Sequence, residues 1–138
     1  MDEIGLGVAG RFCWLDLAAT DAGRAKAFYA DAFGWACRER RANGGEFTVL
    51  VAGGRGVASL YQLRRAQVAT GVPSHWTPYV RVDGAEAAAG RIIACGGAVV
   101  VPPFVVDGTA RIALVQDAVG ALLGLWEPLE AGGSDGDV

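Results

Sequence analysis

The fold is decided by the stretch Trp14-Leu15-Asp16-Leu17-Ala18-Ala19-Thr20-Asp21, together with the segment 22–33 and the pair Gly34-Trp35 that follow it. This order of residues predicts a strand, a helix cap, an amphipathic helix and a glycine stop. The pattern returns later in the chain at one constant offset, with Trp76 matching Trp14, Asp83 matching Asp21, and Gly96 matching Gly34. An internal repeat of this kind predicts a chain built from two similar halves.

Composition narrows the class of protein. The 138 residues are 52% hydrophobic, which favours one compact domain with its own core. The net charge is −3 and the arginines are scattered, so no continuous surface for nucleic acid is expected. No apolar run approaches the ~20 residues of a membrane span, and the start Met1-Asp2-Glu3 is not basic, so we expect a cytoplasmic protein. Cys13, Cys37 and Cys95 are predicted to be buried thiols.

The order of elements predicts an α+β fold with two tandem β-α-β-β-β modules. Thr20 or Asp21 is expected to cap the first helix, and an apolar stripe along that helix is expected to pack on a sheet. Asn43-Gly44-Gly45 and Asp107-Gly108 are turn signals, and Pro102-Pro103 should end or bend a strand. The predicted parts are a first module at 10–66, a linker at 67–74, a second module at 75–128 and a disordered tail at 129–138.

Several motifs carry a family resemblance. They are Phe28-Tyr29 followed by Phe33-Gly34-Trp35, the helix from Asp83 that ends at Gly96-Gly97, Pro102-Pro103-Phe104, and Gln116-Asp117-Ala118-Val119-Gly120-Ala121. Over about residues 10–128 the chain resembles the glyoxalase, bleomycin-resistance and extradiol-dioxygenase superfamily, the vicinal oxygen chelate proteins. The resemblance implies that the sheets curl into a cup around a cleft. It also implies a homodimer, as in the bleomycin-resistance branch.

The enzymes of this superfamily hold a divalent metal with four His, Glu or Gln side chains, one from the first and one from the last strand of each module. The resemblance places these four positions at Trp14, at Leu60, at Thr77 (or Trp76 in the register of the internal repeat) and at Gly124. None of these residues is a good metal ligand, and the chain has one histidine, His75. We therefore predict no metal and no other cofactor, and no nucleotide-binding fingerprint is present.

Strand alternation then predicts which other residues share the concave face. Phe12 and Asp16 accompany Trp14, Ala58 and Gln62 accompany Leu60, Tyr79 and Arg81 accompany Thr77, and Leu122 and Trp126 accompany Gly124. The result would be an aromatic-walled cavity suited to a flat, partly apolar small molecule. Alternatively, Trp14, Trp76 and Trp126 fill the interior as ordinary core residues.

The polar candidates leave alternatives open. An acid placed among apolar neighbours must be paired, solvated or raised in pKa. Asp16 would be structural if it were paired with Arg81 or Arg111, and it would be a general base or a ligand contact if it were unpaired. Tyr61 and Tyr79 are candidates to donate a hydrogen bond to a ligand carbonyl, or else they are buried tyrosines with backbone partners.

These observations favour a metal-free small-molecule binding protein that sequesters an aromatic antibiotic or secondary metabolite, as in bleomycin resistance. The alternative is a metal-independent enzyme that tailors a secondary metabolite by cyclisation, isomerisation or ring opening, with Asp16, Tyr61 or Tyr79 as its acid-base groups. A third hypothesis is a regulatory or scaffold domain with a vestigial cleft. The expected partners are a small aromatic molecule and a second copy of the chain, with no nucleic acid and no membrane, whereas the third hypothesis predicts a filled cavity and no ligand.

Overall fold

The computed structural model describes residues 8–43, 45–106 and 108–129, and these form an α+β fold. Two β-α-β-β-β modules follow one another along the chain, with one short helix between them. The first module comprises β1 (Phe12–Ala19), α1 (Ala22–Phe33), β2 (Ala36–Ala42), β3 (Gly45–Ala52) and β4 (Arg55–Gln62); the short helix is α2 (Arg65–Ala69). The second module comprises β5 (His75–Arg81), α3 (Ala85–Ala94), β6 (Ala98–Val106), β7 (Ala110–Gln116) and β8 (Leu122–Pro128).

The chain divides into two compact units whose borders fall inside β1 and β5. The first-repeat unit is Leu15–Thr77, and the second-repeat unit combines Met1–Trp14 with Pro78–Val138. Each unit holds most of one module. No helix in the described part of the chain is long and apolar enough to cross a membrane.

In the first-repeat unit the strands lie in the order β2-β3-β4-β1. β2, β3 and β4 are antiparallel neighbours, whereas β1 pairs with β4 in parallel. The buried core of this unit is formed by Leu17, Ala19, Leu50, Ala58 and Leu60, with Ala22, Ala25, Tyr29, Trp35 and Val57 packed against it. One face of β1 and β4 is therefore covered by α1.

Helix α1 begins and ends as its sequence indicates. The side chain of Asp21 accepts a hydrogen bond from the backbone N–H of Arg24 at 3.0 Å, which confirms the predicted cap. Gly34 ends the helix with φ 73°, a left-handed conformation that glycine adopts without strain. The predicted packing of the whole apolar stripe is wrong, because Phe28 and Phe33 are 59% and 62% exposed.

In the second-repeat unit the strands lie in the order β5-β8-β7-β6. β5 and β8 are parallel, and the other pairs are antiparallel. The core is built from Val82, Ala85, Ala88, Ala89, Ala113, Val115 and Leu125. Small alanine side chains on α3 let this helix pack directly on the sheet, since three of its residues are buried.

Some details depart from the sequence-based predictions. The predicted linker overlaps α2, a helix of five residues that had no periodic signal. Pro102-Pro103 lies within β6 and does not end it. The pairing with β7 shifts register between Val99 and Val101 and again between Val101 and Phe104, across these prolines. Cys37 and Cys95 are exposed and Cys13 is partly buried, so the prediction of buried thiols is wrong. Gly44 and Asp107 of the two turn signals, and residues 130–138 of the predicted tail, lie outside the described residues.

Candidate functional site

A carboxylate lies on one face of the parallel pair β1–β4 in the first-repeat unit. Asp16 is paired in register with Ser59, and residues in register on parallel strands direct their side chains to the same face. The Ser59 hydroxyl donates a hydrogen bond to Oδ1 of Asp16 at 2.6 Å. This is a short, charge-assisted bond, and it fixes the orientation of the carboxyl group.

The surroundings of Asp16 change its acidity. Burial raises the pKa of the carboxyl from 3.8 to about 6, because water is removed from its charged form. The hydrogen bond from Ser59 and the charge of His75 act in the opposite direction and are smaller. A carboxyl with a pKa near neutrality can accept and return a proton under ordinary conditions.

A tyrosine shares the surroundings of this carboxyl. Burial, and next the charge of Asp16, raise the pKa of the Tyr61 phenol, whereas Arg64 lowers it. Tyr61 therefore stays protonated near neutral pH and has an O–H to donate. The ring nitrogen Nδ1 of His75 lies 2.8 Å from the carbonyl oxygen of Pro73, so this end of the imidazole is held by the backbone.

A second candidate centre, in the second-repeat unit, consists of three aromatic rings. Trp14, Tyr79 and Trp126 are 9%, 5% and 8% exposed. The rings of Trp14 and Trp126 have centroids 6.4 Å apart, and those of Tyr79 and Trp126 lie edge to face at 5.9 Å. Such tilted and edge-to-face pairs stabilise a fixed arrangement of aromatic surface.

Gly124 makes room for this aromatic cluster. It is paired in register with Tyr79 across β5 and β8. A Cβ atom at Gly124 would overlap three atoms of the Tyr79 ring. The ring therefore fills the place that a side chain at this position would take, and glycine is required for that packing.

The indole N–H of Trp126 is a buried donor. Among the described residues its Nε1 atom has no hydrogen-bond partner. A buried polar group without a partner is unfavourable by about 1–3 kcal/mol, so such a group is a candidate contact for a ligand acceptor.

The two arginines considered as partners for Asp16 form other ion pairs. Arg81 contacts Asp83 at 3.2 Å, and Arg111 contacts Glu127 at 3.2 Å. The hydrogen bond to the Asp16 carboxyl comes from a hydroxyl group instead. A serine hydroxyl stabilises the carboxylate less than a guanidinium does, which is why burial prevails in setting the pKa of Asp16.

Leu60 and Ala58 do not lie on the concave face where strand alternation predicted them. Both side chains belong to the core that packs under α1, and the residue in register with Asp16 is Ser59. The reason is a bulge: Val51 pairs with Gly56, but Leu50 pairs with Ala58, so Val57 is an extra residue in β4. One extra residue reverses the alternation, and counting forward from Gly56 gives the wrong face.

Gln62 has a structural role at the start of α1. Its Oε1 accepts a hydrogen bond from the backbone N–H of Ala22, and its Nε2 donates to the carbonyl oxygens of Thr20 and Leu63. Glu127 does the same for α3, where its Oε1 accepts from the N–H of Ala85 at 3.0 Å. Both residues satisfy a free N–H at a helix start.

The remaining predicted positions differ in their burial and contacts. Trp76 donates its indole N–H to the hydroxyl of Tyr29 at 3.3 Å and packs on the rings beside α1, so Thr77, which is buried, is the better match for the expected slot. Phe12 is 68% exposed, and Leu122 is partly buried. The sequence-based prediction missed Ser59, because the bulge that brings it opposite Asp16 is a property of the pairing between β3 and β4.

The family is shown by comparison with known proteins. The sequence profile described as the Glyoxalase/Bleomycin resistance protein/Dioxygenase superfamily matches residues 11–125. The chain belongs to this superfamily. The resemblance to this superfamily that the sequence motifs indicated is therefore confirmed. The α+β fold of two β-α-β-β-β modules is confirmed as well.

Two curated relatives are similar to most of this chain. The chain is 31% identical over 116 residues to "Putative glyoxylase CFP32" of Mycobacterium tuberculosis, covering 83% of this chain and 44% of the relative. It is 30% identical over 131 residues to "Anthracycline biosynthesis protein DnrV" of Streptomyces peucetius, covering 85% and 46%. The chain thus spans about half the length of the curated relatives it matches.

A solved structure supports the fold alone. Methylmalonyl-CoA epimerase from Mycobacterium tuberculosis has a TM-score of 0.61 and 19% identity, with 90% of this chain and 93% of the epimerase covered.

The side chains present do not fit the metal of the superfamily's enzymes. The described residues contain no group of three or more His, Cys, Asp or Glu side chains placed to hold a metal ion. Tyr79 occupies the space at Gly124, Leu60 packs in the core under α1, and Trp14 and Thr77 carry indole and hydroxyl groups that are poor metal donors. These four positions are therefore unsuited to a divalent metal.

Proposed function

We propose that this superfamily member binds a flat aromatic natural product without a metal and sequesters it, in the manner of a bleomycin-resistance protein. One observation carries the proposal: Trp14, Tyr79 and Trp126 form a buried aromatic cluster in which a single indole N–H lacks a partner among the described residues. An aromatic surface with few polar groups favours planar ligands, and the free donor favours a ligand with a carbonyl or ether oxygen.

Similarity to the anthracycline biosynthesis protein gives this ligand class independent support, since the name of that relative refers to a polycyclic aromatic product. We also propose that the protein works as a homodimer and protects its host against an antibiotic or secondary metabolite. Binding that leaves the compound unchanged is the property that separates this function from catalysis.

The test is a titration of tryptophan fluorescence in chelator-treated protein with anthraquinone and 2-methoxynaphthalene, followed by chromatography of the bound compound. We expect quenching, with the compound recovered unchanged and no effect of added zinc or manganese. Trp126→Phe removes the N–H but keeps a ring, and should weaken binding of anthraquinone about ten-fold.

Trp35→Phe is the matched control, because Trp35 packs on the rings beside α1 and is not part of the aromatic cluster. It should leave the affinity unchanged. Absence of binding by either compound would contradict the proposed function, and equal losses in the two variants would contradict the role of Trp126.

A second candidate is a metal-independent enzyme of secondary-metabolite tailoring, and the chemistry of Asp16 favours it. A carboxyl with a pKa of about 6 can take a proton from one position of a substrate and return it to another, as isomerisation or cyclisation requires. Asp16→Asn would then abolish turnover while binding of a non-hydroxylated ring system is retained. Tyr61 and Tyr79 are the proposed hydrogen-bond donors to a substrate carbonyl in that case.

A further inference from the structure

The two oxygens of the Asp16 carboxyl have different surroundings. Oδ1 accepts the hydrogen bond from Ser59, and among the described residues this hydroxyl is the side-chain partner shown for the carboxyl. The charge of His75 also lowers the pKa of this carboxyl. Asp16 is partly buried, and within the described part of the chain its Oδ2 accepts no hydrogen bond, so this oxygen remains as an acceptor with a defined direction.

We infer that Asp16, held in place by Ser59, accepts a hydrogen bond from a hydroxyl group of a small molecule bound at the first-repeat unit, which makes phenols and enols the ligand class of this polar pair. The inference goes beyond the proposed function, which concerns the aromatic cluster of the second-repeat unit. Ser59 is then a positioning residue.

Charged and titratable groups near Asp16 support the assignment of the acceptor. Tyr61 on β4 keeps its proton in this environment, and Nδ1 of His75 on β5 lies next to the carbonyl oxygen of Pro73. Neither side chain is therefore an anionic acceptor that competes with Asp16. The charge of Arg64 lowers the pKa of the Tyr61 phenol. Asp16 is therefore the anionic acceptor of this group once it is ionised.

A matched pair of probes tests the inference. We would measure calorimetrically the affinities of 2-naphthol and 2-methoxynaphthalene, which differ in one O–H, between pH 5 and 8. Naphthols, like tyrosine, ionise well above this range, so the probe itself stays neutral. At pH 7.5 we expect 2-naphthol to bind about ten-fold tighter, because a hydrogen bond to a charged group is strong.

This preference should decline as the pH falls through about 6, where Asp16 gains a proton and loses its charge. Ser59→Ala removes a hydrogen bond that lowers the pKa of Asp16, so the midpoint of the decline should move to higher pH. Ser59→Thr keeps the hydroxyl and should restore the midpoint. Asp16→Asn should reduce the preference to a few-fold and remove its dependence on pH.

Ser74→Ala is the control, because the Ser74 hydroxyl accepts from the N–H of Thr20 and does not contact Asp16. It should leave the midpoint unchanged. Equal binding of the two probes at every pH would overturn the inference while leaving the proposed function intact. Failure of both probes to bind would overturn the two together, and an unmoved midpoint in Ser59→Ala would overturn the role of Ser59.

Discussion

In each repeat a side chain near the end of the last strand caps the helix of that module, but the residues three positions earlier differ between the repeats. Gln62 near the end of β4 and Glu127 near the end of β8 each cap the helix of their own module. Three residues before them stand Ser59, opposite Asp16, and Gly124, opposite Tyr79. The first module therefore has a polar pair where the second has an aromatic ring packed on glycine. The framework is repeated, and the chemistry of each module is set by one cross-strand pair.

The largest effect is expected from a side chain at Gly124, where the Tyr79 ring occupies the space. Gly124→Ala places a methyl group against the Tyr79 ring and should lower the free energy of unfolding by about 3 kcal/mol. Urea denaturation measures this. In a Tyr79→Ala background the same change should be far less destabilising, because the overlap is gone.

Gly90→Ala is the control for that experiment. A Cβ atom at Gly90 on α3 meets nothing within 4 Å, so alanine should stabilise the helix by roughly 0.5–1 kcal/mol. A loss at Gly124 that persists without the Tyr79 ring would show that glycine is needed there for a different reason.

The first pair can be tested through the dependence of stability on pH. The pKa of Asp16 is about 6 in the folded protein and 3.8 as its ordinary value, so folding favours the protonated form. Asp16 thus reduces the free energy of unfolding as the pH rises from about 4 to 6, and the full reduction is present above 6. Asp16→Asn removes the buried charge and should stabilise the protein by about 3 kcal/mol at pH 7.5, less any weakening of the bond to Ser59.

Thermal denaturation of the variant and the natural protein from pH 4 to 8 checks this sign. The difference in Tm should shrink toward zero near pH 4, where Asp16 is protonated in both the folded and the unfolded states. Asp31→Asn, at an exposed position of α1, serves as the control for the substitution itself and should change Tm at pH 7.5 by little. A destabilised Asp16→Asn at pH 7.5 would mean that the polar pair contributes to the fold, and the proposed functional role would lose its main support.

The smallest expected effect comes from exchanging the two caps. Glu127→Gln keeps the acceptor for Ala85 but loses the ion pair with Arg111, and Gln62→Glu keeps the acceptor for Ala22 but loses both donated bonds. Each change should lower the free energy of unfolding by about 1 kcal/mol, measured by urea denaturation. Gain of stability in either exchange would show that the ion pair of Glu127 and the bonds donated by Gln62 do not stabilise their modules.

The sequence predicts the repeat well because helix caps, glycine stops and strand alternation are local signals. Asp21 and Gly34 bound α1 as expected, and the family follows from motifs spread along both modules. Alternation fails at Leu60, since the extra residue Val57 is a property of the pairing between β3 and β4 and leaves no mark in the local pattern. The pKa of Asp16 likewise depends on burial, which only the folded chain determines.

The bulge at Val57 has a consequence for how such a protein changes over evolutionary time. Substitutions at Asp16 or Ser59 alter this pair one side chain at a time, whereas loss of the extra residue Val57 would restore regular pairing with β3 and leave Ser59 opposite Asp16. A single codon deletion at this point would therefore shorten β4 and keep the polar pair. Relatives that lack the extra residue are expected to keep the ligand preference that this pair sets.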